Sequence, residues 1–253
     1  MATAALPYDS QERLIDLNIA VEILETALAI PISPARRSGE SYRMTARNPR
    51  KRSILSRIVR RIIWTIYRLQ GWKIESGLPA IPKFVIAGAP HTSNWDFVFF
   101  TGATAEEGIE PSFMGKHTLF KGFMRNFLFD MGGVPVDRTK RANYVEQVAD
   151  AFRAAERLAL VIAAEGTRSS DGEWKSGFWH IAREAKVPIV LTWVSWKDRR
   201  LGFSDPIQPS DDYASDLSKI AAWFRTKRPD YGRYKVLEAQ AQRLLAEGKD
   251  TAA

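Results

Sequence analysis

From residue 82 onward, short apolar runs alternate with longer segments of helical hydrophobic spacing, and this alternation limits the possible folds more than any other feature. The strand-like runs cover residues 84–87, 111–114, 133–136, 160–163 and 188–194. The helix-like segments cover residues 95–104, 119–129, 144–158, 178–185, 212–225 and 236–246. Because such alternation is typical of a sheet covered by helices on both faces, we predict an α/β fold with a central mixed, mostly parallel sheet.

The segment before this block is predicted to be an amphipathic helical extension. Residues 1–53 are predicted to form a helix near 10–30 and are basic afterwards. Residues 54–70 have apolar side chains at helical spacing, four arginines and Trp64. A helix of this kind can lie in a lipid interface with its arginines at anionic headgroups. The alternative is a helix packed on the domain core with its arginines in water.

Positive charge is concentrated in the same region. Between Arg36 and Lys73 there are twelve Lys or Arg residues and one acidic residue, a net charge of +11 in a chain of net charge +8. A nucleic acid, an anionic membrane or solvent can each accommodate such a segment. No aromatic-interleaved recognition motif accompanies it, so we expect an anionic membrane surface and no nucleic acid. Neither a signal peptide nor an apolar run of about 18 residues is visible, which predicts a peripheral protein at the cytoplasmic face of a membrane.

The chain has no cysteine and only three histidines. This composition excludes a thiol nucleophile, a disulfide framework and an iron–sulfur cluster. It also makes a histidine-rich metal site an unfavourable hypothesis. We therefore expect neither a metal ion nor a cofactor.

The most informative pair of residues is His91 and Asp96, which are separated by four residues between a predicted strand and a predicted helix. Open α/β sheets bind ligands at the carboxyl ends of their strands. There an imidazole can take a proton from an alcohol, while a carboxylate orients the ring and stabilises its protonated form. The alternative is that Asp96 only caps the helix and His91 is a buried polar residue.

Two further motifs follow strands. The stretch from Gly132 to Arg138 ends on a permanent cation, which can bind a phosphate by its planar fork of donors or can form a surface ion pair. The stretch from Glu165 to Ser169 combines a glycine, two hydroxyls and an arginine. This composition suits a phosphate cradle, in which Glu165 orients an arginine, and it equally suits a capped turn.

In this order, the motifs resemble those of the glycerolipid acyltransferase family, of which the lysophosphatidate (1-acylglycerol-3-phosphate) acyltransferases are the best-known members. The resemblance covers residues 80–195 and includes a Val-Pro stretch at Val187 and Pro188. It implies that His91 is the catalytic base and Asp96 its orienting partner. It also implies that the acceptor and its phosphate are bound by Arg138, Glu165, Gly166, Thr167, Arg168 and Lys175.

The sequence departs from that family at four places, one of which is a basic amphipathic helix where a hydrophobic amino-terminal anchor is common. Pro90 stands where an asparagine is usual before the histidine, and Ala163 and Ala164 stand where Phe-Pro is usual. The second proline expected soon after Pro188 is absent. The departures leave the proposed base and its partner in place and bear on the identity of the acceptor.

The resemblance predicts an O-acyltransferase that moves a fatty acyl group from acyl-CoA or acyl carrier protein to a hydroxyl of a lysophospholipid or glycerol-phosphate-type acceptor. Because no cysteine and no Gly-x-Ser-x-Gly elbow is present, we expect no covalent intermediate. The alternatives are a lipid hydrolase that uses the same pair, and a non-catalytic basic module that binds membrane or nucleic acid. Residues 54–210 are predicted to form the catalytic domain and residues 211–253 a helical tail.

A phenylalanine-rich stripe between Phe120 and Phe129 has two interpretations. It can line an acyl groove or face lipid, or it can be one side of a core helix.

Overall fold

The computed structural model describes residues 53–91, 95–122, 124–136, 144–166 and 170–250. The helices, in chain order, are α1 (Ile54–Leu69), α2 (Trp95–Glu106), α3 (Met124–Asp130), α4 (Tyr144–Ala154), α5 (Gly177–Glu184), α6 (Tyr213–Lys227) and α7 (Gly232–Asp250). The strands are β1 (Lys73–Ile74), β2 (Lys83–Ala89), β3 (Ser112–Lys116), β4 (Gly133–Val136), β5 (Leu158–Ala163), β6 (Ile189–Ser195) and β7 (Arg200–Phe203). The predicted helix at 10–30, with nearly all of the amino-terminal extension, lies outside the described residues.

The described strands form one sheet in the order β1-β7-β6-β2-β5-β3-β4. Strands β6, β2, β5, β3 and β4 are mutually parallel. Strand β7 runs antiparallel to β6, and β1 runs parallel to β7. The prediction of a mixed, mostly parallel sheet flanked by helices is confirmed.

Side chains that alternate along the central strands supply a hydrophobic core on each face of the sheet. Phe84 and Ile86 of β2 point to the face covered by α1 and α2, whereas Val85 and Ala87 point to the face covered by α4 to α7. All four are fully buried. Strands buried on both faces have continuous apolar runs, which is why β2, β5 and β6 were recognisable in the sequence.

Helix α1 packs on the sheet with a narrower face than its isoleucine stripe suggests. Its buried residues are Ser56, Ile63, Thr65 and Tyr67. The Tyr67 side chain lies over Gly102 of α2, where an added Cβ would lie 2.5 Å from the Tyr67 Cβ and 2.6 Å from its ring. The amino-terminal part of the helix is open, since Ile54 is 74% exposed and Leu55 59% exposed. The core-packing interpretation therefore holds for the buried residues of this helix, and contact of its exposed end with a membrane stays a prediction.

Two predicted helices are several residues shorter in the structure. The segment 119–129 is a 3-10 turn at His117–Leu119 and the separate helix α3, and Gly122 between them has a positive φ of 57°. Helix α4 ends at Ala154, before the predicted end at Leu158. Leu158 instead begins β5, where its N–H donates to the carbonyl of Pro82 at 2.8 Å. A left-handed glycine interrupts the helical pattern in the first case, and pairing with a strand ends it in the second.

The last two helices share the core of the sheet. Leu217, Ile220 and Phe224 of α6 and Tyr234 and Leu237 of α7 are buried in the same cluster as the residues of β2, β5 and β6. Helix α6 begins at the cap Asp212, which accepts hydrogen bonds from the N–H groups of Ala214 and Ser215. The division of the chain at residue 210 stays a prediction, and the helices beyond it bury their apolar faces on the sheet.

Candidate active site

Three loops meet at the carboxyl edge of the sheet. His91 follows β2, Glu165 follows β5 and Trp196 follows β6. Because β2 lies between β5 and β6, the ends of these strands are neighbours. The site therefore forms where open α/β sheets place their ligands.

The imidazole of His91 and the carboxylate of Asp96 are in contact. The distance from His91 Nδ1 to Asp96 Oδ2 is 3.4 Å, slightly longer than an ordinary hydrogen bond. Asp96 lies in the first turn of α2, where a negative charge interacts favourably with the helix dipole. This contact matches the geometry expected of a base and its orienting carboxylate, and it leaves Nε2 of His91 for a substrate.

A third residue holds the carboxylate. The indole Nε1 of Trp196 donates a hydrogen bond to Asp96 Oδ1 at 3.2 Å. The Trp196 ring is fixed in turn by edge-on contacts with Trp72 and Phe99, at centroid distances of 5.2 and 4.7 Å. Asp96 thus meets His91 with one oxygen and a rigid indole with the other.

Glu165 lies beneath the histidine and is only 1% exposed. Its Oε2 accepts a hydrogen bond from the backbone N–H of His91 at 3.2 Å and another from Nη1 of Arg233 in α7. Burial raises the pKa of the Glu165 carboxyl above its ordinary value, whereas the His91 N–H and the Arg233 guanidinium act in the opposite direction. The cation and the N–H therefore stabilise a carboxylate that its surroundings would otherwise disfavour.

A cavity of about 790 Å³ opens beside this cluster and includes His91 and Asp96 in its wall. Its remaining wall is mostly apolar and is contributed by both faces of the sheet; members include Phe100, Phe113, Met114, Ile162, Phe178 and Trp193. Tyr144 reaches it from α4, with its hydroxyl donating to the Met114 sulfur at 2.9 Å. The size is within the range of small-molecule and cofactor sites, and the lining suits a hydrocarbon chain.

Gly166 and Lys175 also border the cavity. Gly166 has a positive φ of 78°, and a Cβ there would lie 3.0 Å from the Lys175 side chain. The Lys175 N–H donates to the carbonyl of Ala164 at 2.9 Å, so the two loop segments are tied together. Lys175 is exposed, and its ammonium is available to an anion.

The structure brings together five of the eight residues predicted for the site: His91, Asp96, Glu165, Gly166 and Lys175. Arg138, Thr167 and Arg168 lie outside the described residues. Roles of the eight in catalysis and binding stay predictions. Glu165 is predicted to orient an arginine of the motifs. In the described residues it pairs with Arg233, which lies outside those motifs.

None of the described residues of the phenylalanine stripe lies in the wall of this cavity. Phe120 is 7% exposed, and its ring packs on Phe129 at a centroid distance of 5.0 Å. It also fills the space over Gly115 and Gly133, where an added Cβ would lie 2.8 and 2.7 Å from the ring. The packing interpretation therefore holds for Phe120, and contact of the rest of the stripe with an acyl chain or with lipid stays a prediction.

Sequence reasoning missed Trp196, Arg233 and Tyr234. Trp196 follows a predicted strand, so the rule that singled out His91 and Glu165 applies to it as well. Arg233 and Tyr234 begin a helix some seventy residues after Glu165, and no motif marks them. Tyr234 is buried, and its hydroxyl donates to the carbonyl of Ala89 at 3.1 Å.

A mostly parallel sheet carries a His–Asp pair beside an apolar cavity at its carboxyl edge, where α/β proteins place their ligands. Residues 75–195 match the family model described as Acyltransferase, in agreement with the resemblance that the motifs show. A solved structure similar to this chain is that of the 1-acyl-sn-glycerophosphate (LPA) acyltransferase PlsC from Thermotoga maritima. The two are 17% identical, with 90% of this chain and 89% of that chain covered and a TM-score of 0.46. No curated protein sequence matches the chain.

Proposed function

We propose that the protein transfers a fatty acyl group from a thioester donor, acyl-CoA or acyl carrier protein, to a hydroxyl of a lysophospholipid or glycerol-phosphate-type acceptor. The observation that carries the proposal is the His91–Asp96 contact in the wall of the apolar cavity. A base beside a hydrocarbon-sized space is what transfer of a fatty acyl group to an alcohol requires. The family match to residues 75–195 supports the reaction class.

The transfer is a single displacement at the thioester carbonyl. The acceptor hydroxyl gives its proton to Nε2 of His91 as its oxygen attacks the carbonyl carbon. The carbon–sulfur bond then breaks, the ester remains on the acceptor, and the thiolate leaves and takes up the proton. Protonation of Nε2 makes His91 an imidazolium, which Asp96 stabilises through its contact with Nδ1. Trp196 holds Asp96 in place. General-base assistance of this kind contributes about 10²–10⁴-fold in rate.

The acyl chain occupies the apolar cavity in this proposal. Each methylene that leaves water for such a wall contributes roughly 0.8 kcal/mol. Aromatic and aliphatic side chains such as Phe113, Ile162 and Phe178 supply that wall. Binding energy from the chain, remote from the reacting carbonyl, holds the carbonyl at His91 and lowers the entropic part of the barrier.

The acceptor phosphate lies on the other side of the reacting hydroxyl. Lys175 is exposed at the edge of the cavity and offers an ammonium to an anion. The motif resemblance adds Arg138, Thr167 and Arg168 to this phosphate site, with Gly166 providing the turn. Arginine forks and hydroxyls are suitable ligands of a phosphate monoester.

Helix α1 supports a peripheral position on an anionic membrane. Ile54, Leu55 and Ile58 are exposed, and Arg57 lies among them. An exposed apolar cluster with interspersed arginines suits the headgroup region of an anionic leaflet, and the cytoplasmic leaflet is the anionic one. Within the described residues, no helix combines the length and the apolar character needed to cross a bilayer.

The test is an assay of the purified protein with a radiolabelled acyl-CoA, or acyl carrier protein, against a panel of lysolipid and glycerol-phosphate acceptors. We expect label in a phospholipid product for at least one acceptor and no such product with His91→Ala. Label that appears only as free fatty acid contradicts acyl transfer and supports the hydrolase alternative. An acyl group retained on the intact protein contradicts the single displacement.

A further inference from the structure

The first turn of α7 contacts the two loops that carry the active-site residues. Arg233 donates to the carboxylate of Glu165, which follows β5. The next residue, Tyr234, donates from its hydroxyl to the carbonyl of Ala89 at the end of β2. Ala89 is two residues before His91, and Glu165 accepts the backbone N–H of His91. Two consecutive residues of one helix therefore contact the segment from Ala89 to His91, Tyr234 directly and Arg233 through Glu165.

The Arg233 contact passes through a single oxygen. Oε2 of Glu165 accepts both the guanidinium of Arg233 and the N–H of His91. Because Glu165 is only 1% exposed, water does not replace either partner. A buried charge that keeps its partners stays fixed in position, whereas one that loses a partner is strongly destabilised. Arg233 and the peptide N–H of His91 are therefore linked through one carboxylate oxygen.

The helix that supplies these residues is itself held firmly. Tyr234 is 1% exposed and packs on Phe224 and Tyr231 at centroid distances of 4.8 and 4.9 Å. Gly172, with a positive φ of 120°, lies so close to Arg233 that an added Cβ would be 2.9 Å from its Cα. The loop after the Glu165 motif is therefore shaped to pass beside the start of α7.

We propose that Arg233 and Tyr234 are positioning residues for His91, so that the carboxyl-terminal helix is a component of the active site. Arg233 acts through Glu165 on the His91 N–H, and Tyr234 acts on the carbonyl of Ala89. Neither residue takes part in proton transfer. Tests of this role that measure acyl transfer rest on the proposed function. The role itself is assigned to residues outside the acyltransferase motifs.

The central test is a double-mutant cycle on Arg233 and Glu165. Arg233→Met and Glu165→Gln are each expected to lower kcat about 10²-fold. A catalytic group that is misplaced by about 1 Å can cost this much in rate. KM for the acyl donor is expected to stay within about twofold, since the apolar cavity is unchanged. The double variant removes both charges and is expected to lose no more than either single variant, because the two residues act as one unit.

Conservative replacements separate positioning from folding. Arg233→Lys keeps the cation and is expected to recover part of the loss in kcat. Tyr234→Phe keeps the packed ring and removes only the hydroxyl, with an expected loss in kcat of about fivefold. The matched control is Arg243→Met, since Arg243 lies on the same helix and forms an exposed ion pair with Glu173 at 3.0 Å. Wild-type kcat is expected for that control.

A readout without acyl transfer keeps the two proposals apart. In ¹⁵N-labelled protein, the amide resonance of His91 is expected to move in Arg233→Met and in Tyr234→Phe and to stay in place in Arg243→Met. If the wild-type protein transfers no acyl group, the proposed function is contradicted. The shift of the His91 amide still tests the positioning role in that case, because it does not depend on acyl transfer. Additive losses in the cycle, or an unmoved His91 amide in Arg233→Met, would overturn the assignment.

Discussion

The indole of Trp196 and the carboxylate of Asp96 are joined by a hydrogen bond of 3.2 Å, one hundred residues apart in the sequence. Asp96 belongs to the acyltransferase motif block, while Trp196 lies one residue beyond the segment that matches the family model. The bond ties the end of β6 to the first turn of α2. Asp96 contacts His91 with Oδ2 and the indole with Oδ1.

Replacing Trp196 by Phe tests this bond. The variant keeps an aromatic ring among Trp72 and Phe99 and removes the Nε1 donor. A hydrogen bond to a charged group contributes about 1.5–3 kcal/mol, so we expect kcat to fall by roughly tenfold or more. The matched control is Trp64→Phe, because Trp64 donates to Glu106 at 3.0 Å on a different part of the fold. Equal kcat for the two variants would show that the bond does not assist the reaction.

Asp96→Asn tests the carboxylate itself. We expect the fold to be kept and kcat to fall by about 10²–10⁴-fold, because an amide cannot stabilise the imidazolium and can leave the ring in the wrong tautomer. The KM of the acyl donor is expected to change little. Steady-state kinetics with saturating acceptor measure both quantities. A loss confined to KM would contradict the role of Asp96 as the partner of the base.

The sequence was sufficient for those parts of the fold that depend on local hydrophobic pattern. Strands β2, β5 and β6 are recognisable because they are buried on both faces and consist of continuous apolar residues. Strand β1 is not, because it has two residues and exists only through its pairing with β7. Helix α3 begins later than its apolar pattern suggests, since Gly122 takes a left-handed conformation that ends the preceding turn.

The site was predictable where its residues stand in motifs and unpredictable where they come from distant segments. His91 and Asp96 are five positions apart, so their contact follows from a strand-to-helix turn. Arg233 meets Glu165 only because α7 packs its buried Tyr234 against the sheet end. That packing depends on the whole tertiary structure, and no local spacing in the sequence encodes it.

Asp216 offers a test of stability away from the reaction. It is 2% exposed, and its Oδ2 accepts hydrogen bonds from Trp179 Nε1 at 2.9 Å and from the Ser210 N–H at 2.6 Å. Asp216→Ala leaves both donors without this acceptor, so we expect a loss of about 1–3 kcal/mol in the free energy of unfolding at neutral pH. Asp211→Asn is the control, since Asp211 is 94% exposed in its pair with Arg183. Urea denaturation measures both variants.

The same carboxylate predicts a pH dependence. Burial opposes ionisation of Asp216, but the hydrogen bonds from Trp179 and Ser210 prevail and hold its pKa below the ordinary value. Its contribution to stability is therefore present above about pH 4, the unfolded value, and is lost as the pH falls through the lower folded value. We expect the difference in unfolding free energy between wild type and Asp216→Asn to shrink between pH 6 and pH 3. A constant difference would contradict the assignment.

The exposed end of α1 predicts how the protein binds membranes. Ile54 is 74% exposed, Leu55 59% and Ile58 43%, so changing all three to Asn is expected to cost little stability. Loss of this apolar surface is expected to weaken co-sedimentation with anionic vesicles by at least tenfold, because each such side chain contributes up to about 1.5–3 kcal/mol when buried. Circular dichroism checks that the fold is kept.

The arginines of the same helix separate electrostatic attraction from apolar burial. Arg57→Gln combined with Arg68→Gln is expected to weaken binding to anionic vesicles by about 1 kcal/mol per residue and to leave binding to neutral vesicles unchanged. The matched control combines Arg153→Gln and Arg183→Gln, because these arginines lie on α4 and α5, on the opposite face of the sheet. Equal effects of the two pairs would mean that net charge, and not α1, determines attachment. Retention of the wild-type protein on nucleic acid at physiological salt, without vesicle binding, would contradict a membrane role for this helix.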